Sequence, residues 1–255
     1  MGKIIAVANQ KGGVGKTTTT VNLGSCIATL GKKVLLIDID PQSNCTSGMG
    51  LNPHQLPYSS YDVLINNRDI SNCTHKTMID SLNILPSNVD LAGAEIELVS
   101  QIARETRLKT AIDKIRDSYD YIFIDCPPSL GLITINGLTA ADSILVPIQC
   151  EYYAIEGLSQ LLNSIKLVKK SLNPNLTIEG VVLTMYDSRT NLSHQVKEEI
   201  GRHFSENLFD AIIPRNVRLS ESPSFGLPIT LYDPGCAGAK AYHSLASEFL
   251  SNNNS

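Results

Sequence analysis

The feature that most constrains this chain is a glycine-rich stretch with two lysines near its amino terminus. It follows an apolar run over residues 3–8 and precedes a segment over residues 16–30 that is typical of a helix. Glycines in such a turn let backbone N–H groups approach phosphate oxygens, and the helix N-terminus adds its positive dipole. The residues predicted to hold phosphate are Lys11, Gly12, Gly13, Val14, Gly15, Lys16, Thr17 and Thr18.

This loop is a variant of the ordinary P-loop, because Gln10 stands where the ordinary pattern has glycine. Lys16 is placed to reach the β and γ phosphates, and the Thr17 hydroxyl suits Mg²⁺. Lys11 has no counterpart in the ordinary pattern. In a monomer we expect Lys11 to be a solvated surface residue, whereas in a dimer it is placed to contact the nucleotide of the partner.

Apolar runs of strand length alternate with helix-length segments along the rest of the chain, which favours a parallel sheet covered on both faces. We therefore predict an α/β fold, a single-domain P-loop NTPase with a mostly parallel central β-sheet covered by helices on both faces. The predicted domain spans residues 1–250, and residues 251–255 form a polar, frayed C-terminal tail. Further strands are predicted over residues 33–37, 82–85, 121–124, 143–148, 176–183 and 211–213. Helices are predicted over residues 91–116, in one piece or two, and over residues 130–141, 155–170, 192–204 and 239–250, and a loop is predicted over residues 42–61.

Composition narrows the classes of function. The 255 residues are 42% hydrophobic and 18% charged, with a formal net charge of −4, which excludes a disordered chain and a protein that coats nucleic acid through bulk positive charge. The six cysteines form no C-x-x-C pair, so we expect reduced thiols. Neither a signal peptide nor a membrane-length apolar run is evident, which predicts a cytoplasmic protein.

Aspartates follow two of the predicted strands, at the sheet edge where open α/β folds bind ligands. Asp125 ends the apolar run over residues 121–124 and is the expected Mg²⁺ partner, acting through a bound water. Asp40 precedes Pro41, where the chain should leave the sheet, so it is better placed to orient an attacking water. For Asp38 a catalytic role and a structural capping role are equally supported.

These motifs, in this order, resemble the ParA family of partition ATPases, which carry a deviant Walker A loop. The similarity is closest to the chromosomal Soj branch and covers nearly the whole chain. It is carried by the segments at residues 9–18, 38–42, 125–128, 184–191 and 213–221. The last two segments are more diagnostic of the branch than the phosphate loop, which related ATPases share.

The resemblance implies an ATPase that uses ATP and Mg²⁺ and forms a nucleotide sandwich dimer. Lys11 would reach the phosphates of the other subunit, and Lys16 would hold phosphate within its own subunit. Thr17 would hold Mg²⁺, with Asp125 supporting the metal shell through water. Asp40 would position the hydrolytic water, which makes Lys11, Lys16 and Asp40 the expected catalytic residues.

The same resemblance implies where the base and the DNA bind. Pro214 and Asn216 would line the adenine site, and Arg189 and Arg218 match positions used for DNA. The family binds double-stranded DNA without sequence preference as the ATP dimer, and a ParB-type protein stimulates hydrolysis. The protein would then be associated with the nucleoid and drive chromosome or plasmid partitioning. The segment at residues 233–238 lacks the basic residues that Soj-type chains often carry, which predicts either weaker DNA binding or a different arrangement of the DNA-binding surface.

Three alternatives share the ATPase core. MinD-like positioning ATPases end in a basic amphipathic helix that lies on membrane, whereas the last helix predicted here has a single lysine, Lys240, so we expect no membrane binding. An electron-transfer ATPase similar to the nitrogenase iron protein would need cysteines such as Cys126 and Cys150 around an iron–sulfur cluster. A small-molecule kinase or ligase, or another P-loop ATPase acting on a cargo other than DNA, would need an acceptor site, for which no separate segment is evident.

Overall fold

A computed structural model describes residues 1–151 and 154–253. Its centre is a seven-stranded sheet in the order β3-β4-β2-β5-β1-β6-β7. All neighbouring strands are parallel except β3, which pairs antiparallel with β4 at the edge. The strands are β1 (Lys3–Val7), β2 (Val34–Asp38), β3 (His75–Lys76), β4 (Leu82–Leu85), β5 (Tyr121–Asp125), β6 (Ser143–Gln149) and β7 (Thr177–Thr184).

Helices cover both faces of the sheet. They are α1 (Lys16–Thr29), α2 (Asn44–Gly48), α3 (Ser60–Leu64), α4 (Leu91–Glu97), α5 (Arg107–Ile112), α6 (Leu132–Ala140), α7 (Ala154–Ser171), α8 (Asn191–His203), α9 (Val217–Glu221), α10 (Ile229–Tyr232) and α11 (Ala237–Asn253). Short 3₁₀ turns span Pro53–Gln55, Ile70–Asn72, Leu98–Ser100, Arg116–Ser118 and Ser222–Phe225. Within the described part of the chain, none of the helices combines the length and the apolarity needed to cross a membrane.

Burial explains why the apolar runs form this sheet. The five residues of β2 and the five of β5 are all buried, as expected for parallel strands covered on both sides. Alternate residues of the parallel strands point into two hydrophobic cores. One core contains residues of α3–α8, and the other contains residues of α1, α2 and α9–α11. The predicted fold class is therefore confirmed.

The region predicted as a strand over residues 211–213 is not a strand. Ile213 donates its N–H to the Leu183 carbonyl at 2.9 Å and accepts from the Tyr186 N–H at 3.1 Å, but only isolated bridges, such as Tyr186 with Pro214, form beside β7. The segment runs beside β7 in the parallel sense, with hydrogen bonds at Val181, Leu183 and Tyr186, but these contacts are too widely spaced to form a continuous ladder. The predicted loop over residues 42–61 also differs, because it contains α2 and the beginning of α3.

The structure also adds detail in the region of residues 91–116 and differs from the prediction at the C-terminal end of α11. The helical region predicted over residues 91–116 forms two pieces, as one of the two alternatives had it, and they are separated between Leu98–Ser100 and α5, where Ala103 adopts a φ of +52°. The second piece ends at Ile112 and not at residue 116. The tail predicted to fray from residue 251 continues α11 to Asn253, whose amide donates to the Phe249 carbonyl at 2.8 Å and to Glu179 Oε1 at 2.7 Å. The expectation of fraying is wrong for residues 251–253, while residues 254 and 255 lie outside the described chain.

Because α11 packs on the sheet, truncation of Phe249, its last aromatic residue, should lower the free energy of unfolding substantially. Phe249 is fully buried, and its ring centroid lies 5.3 Å from Tyr121 and 5.7 Å from Phe123. Phe249→Ala should lower the free energy of unfolding by about 3–5 kcal/mol, because it leaves a cavity against β5. Urea denaturation measures this, with the exposed Asn252→Ala as a near-neutral control. A loss below about 1 kcal/mol would contradict this packing.

Candidate functional site

The phosphate loop connects β1 to α1 at the carboxyl edge of the sheet. Gly13 and Gly15 have φ values of +77° and +89°, a left-handed conformation that favours glycine. A Cβ added at Gly12 or Gly13 would meet nothing within 4 Å, so the outer side of the loop is open. The turn therefore leaves room for a ligand beside its backbone and the N-terminus of α1.

Two side chains outside the predicted set hold this loop in place. Thr184, at the end of β7, donates its hydroxyl to the Val14 carbonyl at 2.8 Å. Asn9 donates to the Pro147 carbonyl at 2.8 Å and accepts from the Lys11 N–H at 3.0 Å. Both residues lie within the segments that carry the family resemblance, but their spacing in the chain gave no indication that they anchor the loop.

Asp125 joins β5 to the first turns of α1. Its Oδ2 accepts from the Thr17 hydroxyl at 2.7 Å, and its Oδ1 accepts from the Thr20 hydroxyl at 3.1 Å. Thr17 and Thr20 are three residues apart and so lie on the same face of the helix. A hydroxyl and a carboxylate are oxygen ligands of the kind that Mg²⁺ prefers, and the structure brings Thr17 and Asp125 together as predicted. Thr20 was not predicted.

Asp38 and Asp40 lie beside Asp125. Asp38 pairs in register with Asp125 across β2 and β5, and it is buried. Its carboxylate accepts from the Thr46 N–H at 2.9 Å, the Thr46 hydroxyl at 2.7 Å and the Asp40 N–H at 3.1 Å. Asp38 thus holds the turn that carries Asp40. The Asp40 carboxylate accepts from the Gln42 N–H at 2.9 Å, and among the described residues no donor is found for its second oxygen.

The electrostatics of this edge favour a cation. Burial, and then the neighbouring charges of Asp38 and Asp40, raise the pKa of Asp125. Burial lowers the pKa of Lys16, while the charges of Asp125 and Asp40 oppose that shift. The Lys16 ammonium donates to the Lys11 carbonyl at 3.1 Å, so it lies folded over the loop. Among the described residues, no three acidic, histidine or cysteine side chains converge to hold a metal by themselves. Carboxylates beside one buried ammonium instead suit a phosphate group that brings its own divalent cation.

Lys11 differs from the expectation for a monomer. Its ammonium forms an ion pair with Glu151, and both side chains are about one-third exposed. Lys11 is therefore held beside the carboxyl end of β6 instead of being a freely solvated residue. Its contact with a partner subunit stays a prediction.

A cavity of about 440 Å³ adjoins the phosphate loop. Its wall combines Gly15 and Thr18 with the end of β7 and with the segment between α8 and α9, including Pro214 and Asn216. The Asn216 side chain accepts from the Leu219 N–H at 3.3 Å and so caps α9. The structure thus brings both residues of the predicted adenine site next to the predicted phosphate site, in a cavity of a size that small ligands occupy.

The two predicted DNA-binding arginines lie in adjoining segments, because Arg215 donates its N–H to the Tyr186 carbonyl at 3.0 Å. Both are exposed and both are paired with acids. Arg189 binds Asp187 through two nitrogens, at 2.7 Å and 2.9 Å. Arg218 contacts Glu221 at 2.9 Å and Asp233 at 3.5 Å. Each arginine therefore has to leave or share a carboxylate in order to bind a phosphate.

Comparison with known proteins agrees with this geometry. Residues 2–178 match the family described as AAA domain. The chain is 58% identical over 252 residues to the sporulation initiation inhibitor protein Soj of Bacillus subtilis, covering 99% of this chain and 100% of that protein. It is 52% identical over 250 residues to the chromosome partitioning protein ParA of Myxococcus xanthus, covering 98% and 88%. A solved structure named cobyrinic acid a,c-diamide synthase of Mycobacterium smegmatis, with bound ADP and magnesium, has a TM-score of 0.88 and 38% identity and covers 100% and 96% of the two chains.

The carboxylate cluster predicts how the ligand-free protein responds to pH. A raised pKa means that ionised Asp125 opposes folding, so stability should fall as the pH rises from about 4, where aspartates of the unfolded chain ionise, through the raised pKa. Asp125→Asn should therefore be more stable than the wild type at pH 8, by about 1 kcal/mol or more. Urea unfolding at pH 5 and pH 8 measures this, with the exposed Asp113→Asn as control. A variant that is less stable at both pH values would contradict the assignment.

Proposed function

Because the chain belongs to the Soj and ParA family of chromosome-partitioning ATPases, we propose that it is an ATP-dependent switch that dimerises, binds DNA non-specifically as the ATP dimer, and drives chromosome or plasmid partitioning. The observation that carries the proposal is the arrangement of Lys16, Thr17 and Asp125 around an open glycine-rich loop. ATP and Mg²⁺ are the cofactors we assign to it, and the ADP and magnesium bound to the Mycobacterium smegmatis structure support this. Residues 1–250 then form one ATPase domain.

Each residue of the loop has a role that follows from its position. The backbone N–H groups of residues 12–18 bind phosphate oxygens, since no side chain blocks the outer side of the glycines. The Lys16 ammonium lies over the loop and pairs with the terminal phosphates. Lys11 leaves Glu151 and reaches the phosphates of the partner subunit, which makes dimerisation dependent on the triphosphate. The base occupies the cavity beside Pro214 and Asn216.

Hydrolysis needs a positioned water and charge stabilisation. Asp40 has one carboxylate oxygen fixed by the Gln42 N–H, and its other oxygen accepts a proton from the attacking water and orients it. Magnesium, when bound, neutralises charge on the phosphate oxygens. Thr17 would supply a hydroxyl ligand to the metal, and Asp125 would support the metal shell through a water. Asp38 keeps Asp40 in position through the turn that ends at Thr46.

In this proposal, DNA binding depends on arginines contributed by both subunits of the dimer. One chain carries a net charge of −4, so binding depends on local cations and not on the overall charge. Arg189 and Arg218 from each subunit contact the phosphate backbone once they exchange their protein carboxylates for phosphates. Such contacts carry no base information, and they weaken as salt concentration rises. The proposed location is therefore the cytoplasm, on the nucleoid.

Hydrolysis resets the switch, and we propose that a ParB-type protein stimulates it. Slow turnover without that partner is expected, since none of the described arginines contacts the phosphate loop as an arginine finger would. The alternative is a MinD-like positioning ATPase, or another P-loop ATPase with a non-DNA cargo. Against membrane recruitment, the large apolar side chains of α11, Tyr242, Leu245 and Phe249, are buried against the protein and so do not form a lipid-facing surface. Retention on duplex DNA with ATP, with ADP and without nucleotide separates these functions.

Two variants should separate nucleotide binding from hydrolysis. Lys16→Ala should lose detectable ATP binding by calorimetry, because it removes the ammonium that pairs with the phosphates. Asp40→Ala should keep ATP binding and accumulate as a dimer in sedimentation, while turnover falls by about 100-fold. Tight ATP binding by Lys16→Ala, or normal turnover by Asp40→Ala, would contradict the assigned roles.

Arg189→Ala should spare the ATP dimer and weaken its retention on DNA. The slope of log affinity against log salt concentration should fall by about 2 for the dimer, one for each arginine. Lys33→Ala is a matched control, because Lys33 is exposed at the amino end of β2, on the opposite edge of the sheet. Unchanged DNA retention by Arg189→Ala at low salt would remove this residue from the interface.

A further inference from the structure

A second cavity, which we call the α5 cavity, lies away from the nucleotide site. Its volume is about 320 Å³, and its wall is formed by residues within 63–68, at the end of α3 and after it, and within 102–114, which include α5. Val63 and Ala111, which line it, belong to the core that contains residues of α3–α8. None of its lining residues also lines the cavity that we assign to the base of the nucleotide.

The wall of the α5 cavity is positively charged. Arg68, Arg107 and Lys114 line it, and none of its lining residues is acidic. Among the described residues, none of these three cations forms a salt bridge, whereas the cations that we assign to DNA and to the phosphates of the partner subunit each have an acidic partner. Three unpaired cations around one concave site, on a chain with a net charge of −4, favour an anionic ligand.

Arg107 is fixed in this wall by neutral acceptors. Its guanidinium donates to the Leu64 carbonyl, to the Ile65 carbonyl at 3.1 Å, to Asn67 Oδ1 at 2.5 Å and to Gln101 Oε1 at 3.1 Å. These bonds use four of the five N–H donors of the group, and none of the acceptors carries a charge. The bonds join the end of α3 to the chain before α5 and leave the positive charge uncompensated. A charge that is already held in place binds an anion with little further loss of side-chain entropy.

Arg68 and Lys114 complete the positive wall. The Arg68 guanidinium lies over the Tyr58 ring, with its Cζ 3.5 Å from the ring centroid, and such stacking leaves the N–H groups at the edge of the guanidinium available. Within the described chain, neither the Arg68 guanidinium nor the Lys114 ammonium donates a hydrogen bond to the protein. Asp62 and Asp69, which flank residues 63–68, accept hydrogen bonds from their own neighbours in the chain instead.

The backbone around the α5 cavity has a feature in common with the nucleotide site. Asn67 and Ala103 line the cavity with φ values of +53° and +52°. In the described chain, the only other non-glycine residues with a positive φ are Ser43, in the turn that carries Asp40, and Met185, which lines the base cavity. Such a conformation is costly for a residue with a Cβ and is found most often at ligand sites. Its occurrence here supports the α5 cavity as a ligand site.

The lining of the α5 cavity also indicates which anion it fits. Val63 and Ala111 are buried lining residues, and Ile102 adds an exposed apolar side chain, so the ligand has an apolar or planar part beside its charge. A phosphate group, with up to two negative charges and three acceptor oxygens, matches three cations better than a carboxylate does. Duplex DNA presents its phosphates on a convex surface, whereas a concave site with apolar walls suits a small molecule.

We propose that the α5 cavity binds a small molecule that carries a phosphate group on a compact apolar or planar body. Arg107 fixes the position of the phosphate, Arg68 and Lys114 close around it, and the aliphatic side chains of the wall contact the body of the ligand. The α5 cavity shares no residue with the nucleotide site, so its ligand binds independently of the function proposed above.

Titration of the isotope-labelled protein with phenyl phosphate and with inorganic phosphate, followed by the backbone amide resonances, tests this site. The amides of Asn67, Ala103 and Thr110 should shift to saturation. Phenyl phosphate should reach half-saturation at a lower concentration than inorganic phosphate, because only phenyl phosphate has an apolar body to bury. The amides of residues 12–18 report phosphate binding at the phosphate loop in the same spectra, so failure of one site is distinguished from failure of the other.

Arg68→Ala combined with Lys114→Ala should raise the half-saturating concentration at the α5 cavity about tenfold, because two charged contacts are lost, and should leave that of the phosphate loop unchanged. Lys109→Ala is the matched control, since Lys109 is an exposed lysine of α5 that does not line the cavity. Arg107 is retained in these variants because it ties the end of α3 to the chain before α5.

Four results would overturn the proposal. Amide shifts confined to residues 12–18 would remove the α5 cavity as a site, and an unchanged half-saturating concentration in the double variant would remove its cations from binding. Benzoate that binds as tightly as phenyl phosphate would show that a phosphate group is not recognised. A short DNA duplex that shifts the cavity amides where phenyl phosphate does not would make the cavity part of a DNA-binding surface.

Discussion

The site depends on the hydrogen bonds that the hydroxyls of Thr17 and Thr20 donate to the Asp125 carboxylate. They tie the end of the central strand β5 to the first turns of α1, and so they set the position of the phosphate loop relative to the sheet. Because Asp125 is buried beside Asp38, the protein holds carboxylate charge at a place where a cation is the natural complement. The contact that orders the phosphate loop therefore also fixes the carboxylate for which we propose a role in supporting Mg²⁺.

Most cations assigned to function already have an acidic partner in the protein. Lys11 pairs with Glu151, Arg189 with Asp187 and Arg218 with Glu221. These pairs are partly or fully exposed, so each contributes little to stability and exchanges readily for a phosphate. An acidic protein with paired cations binds polyanions only where several exchanges occur together. This explains in physical terms why nucleotide, dimer and DNA binding are expected to be linked.

The predictions held where local sequence and packing agree. Local sequence was enough to predict the buried strands β2 and β5. It was also enough to predict the glycine turn that contains Gly13 and Gly15. The prediction of a strand over residues 211–213 was wrong, because this segment makes only isolated hydrogen bonds to β7 and no continuous ladder. The tail to Asn253 was expected to fray from its polar composition, but contacts with Glu179, distant in sequence, keep it helical. In the site, Thr184 and Glu151 were not predicted, because they are far along the chain from the phosphate loop that they contact.

The sequence by itself determined the fold class, the phosphate loop and the aspartates that follow the strands, since strand burial, glycine conformation and helix periodicity are local properties of the chain. Only the tertiary structure decided which groups meet: Asp38 with Thr46, Thr20 with Asp125, Arg107 with the end of α3, and Lys11 with Glu151. Such contacts join segments that are separated along the chain. Their geometry is set by how the helices pack on the sheet, and the packing depends on the whole core.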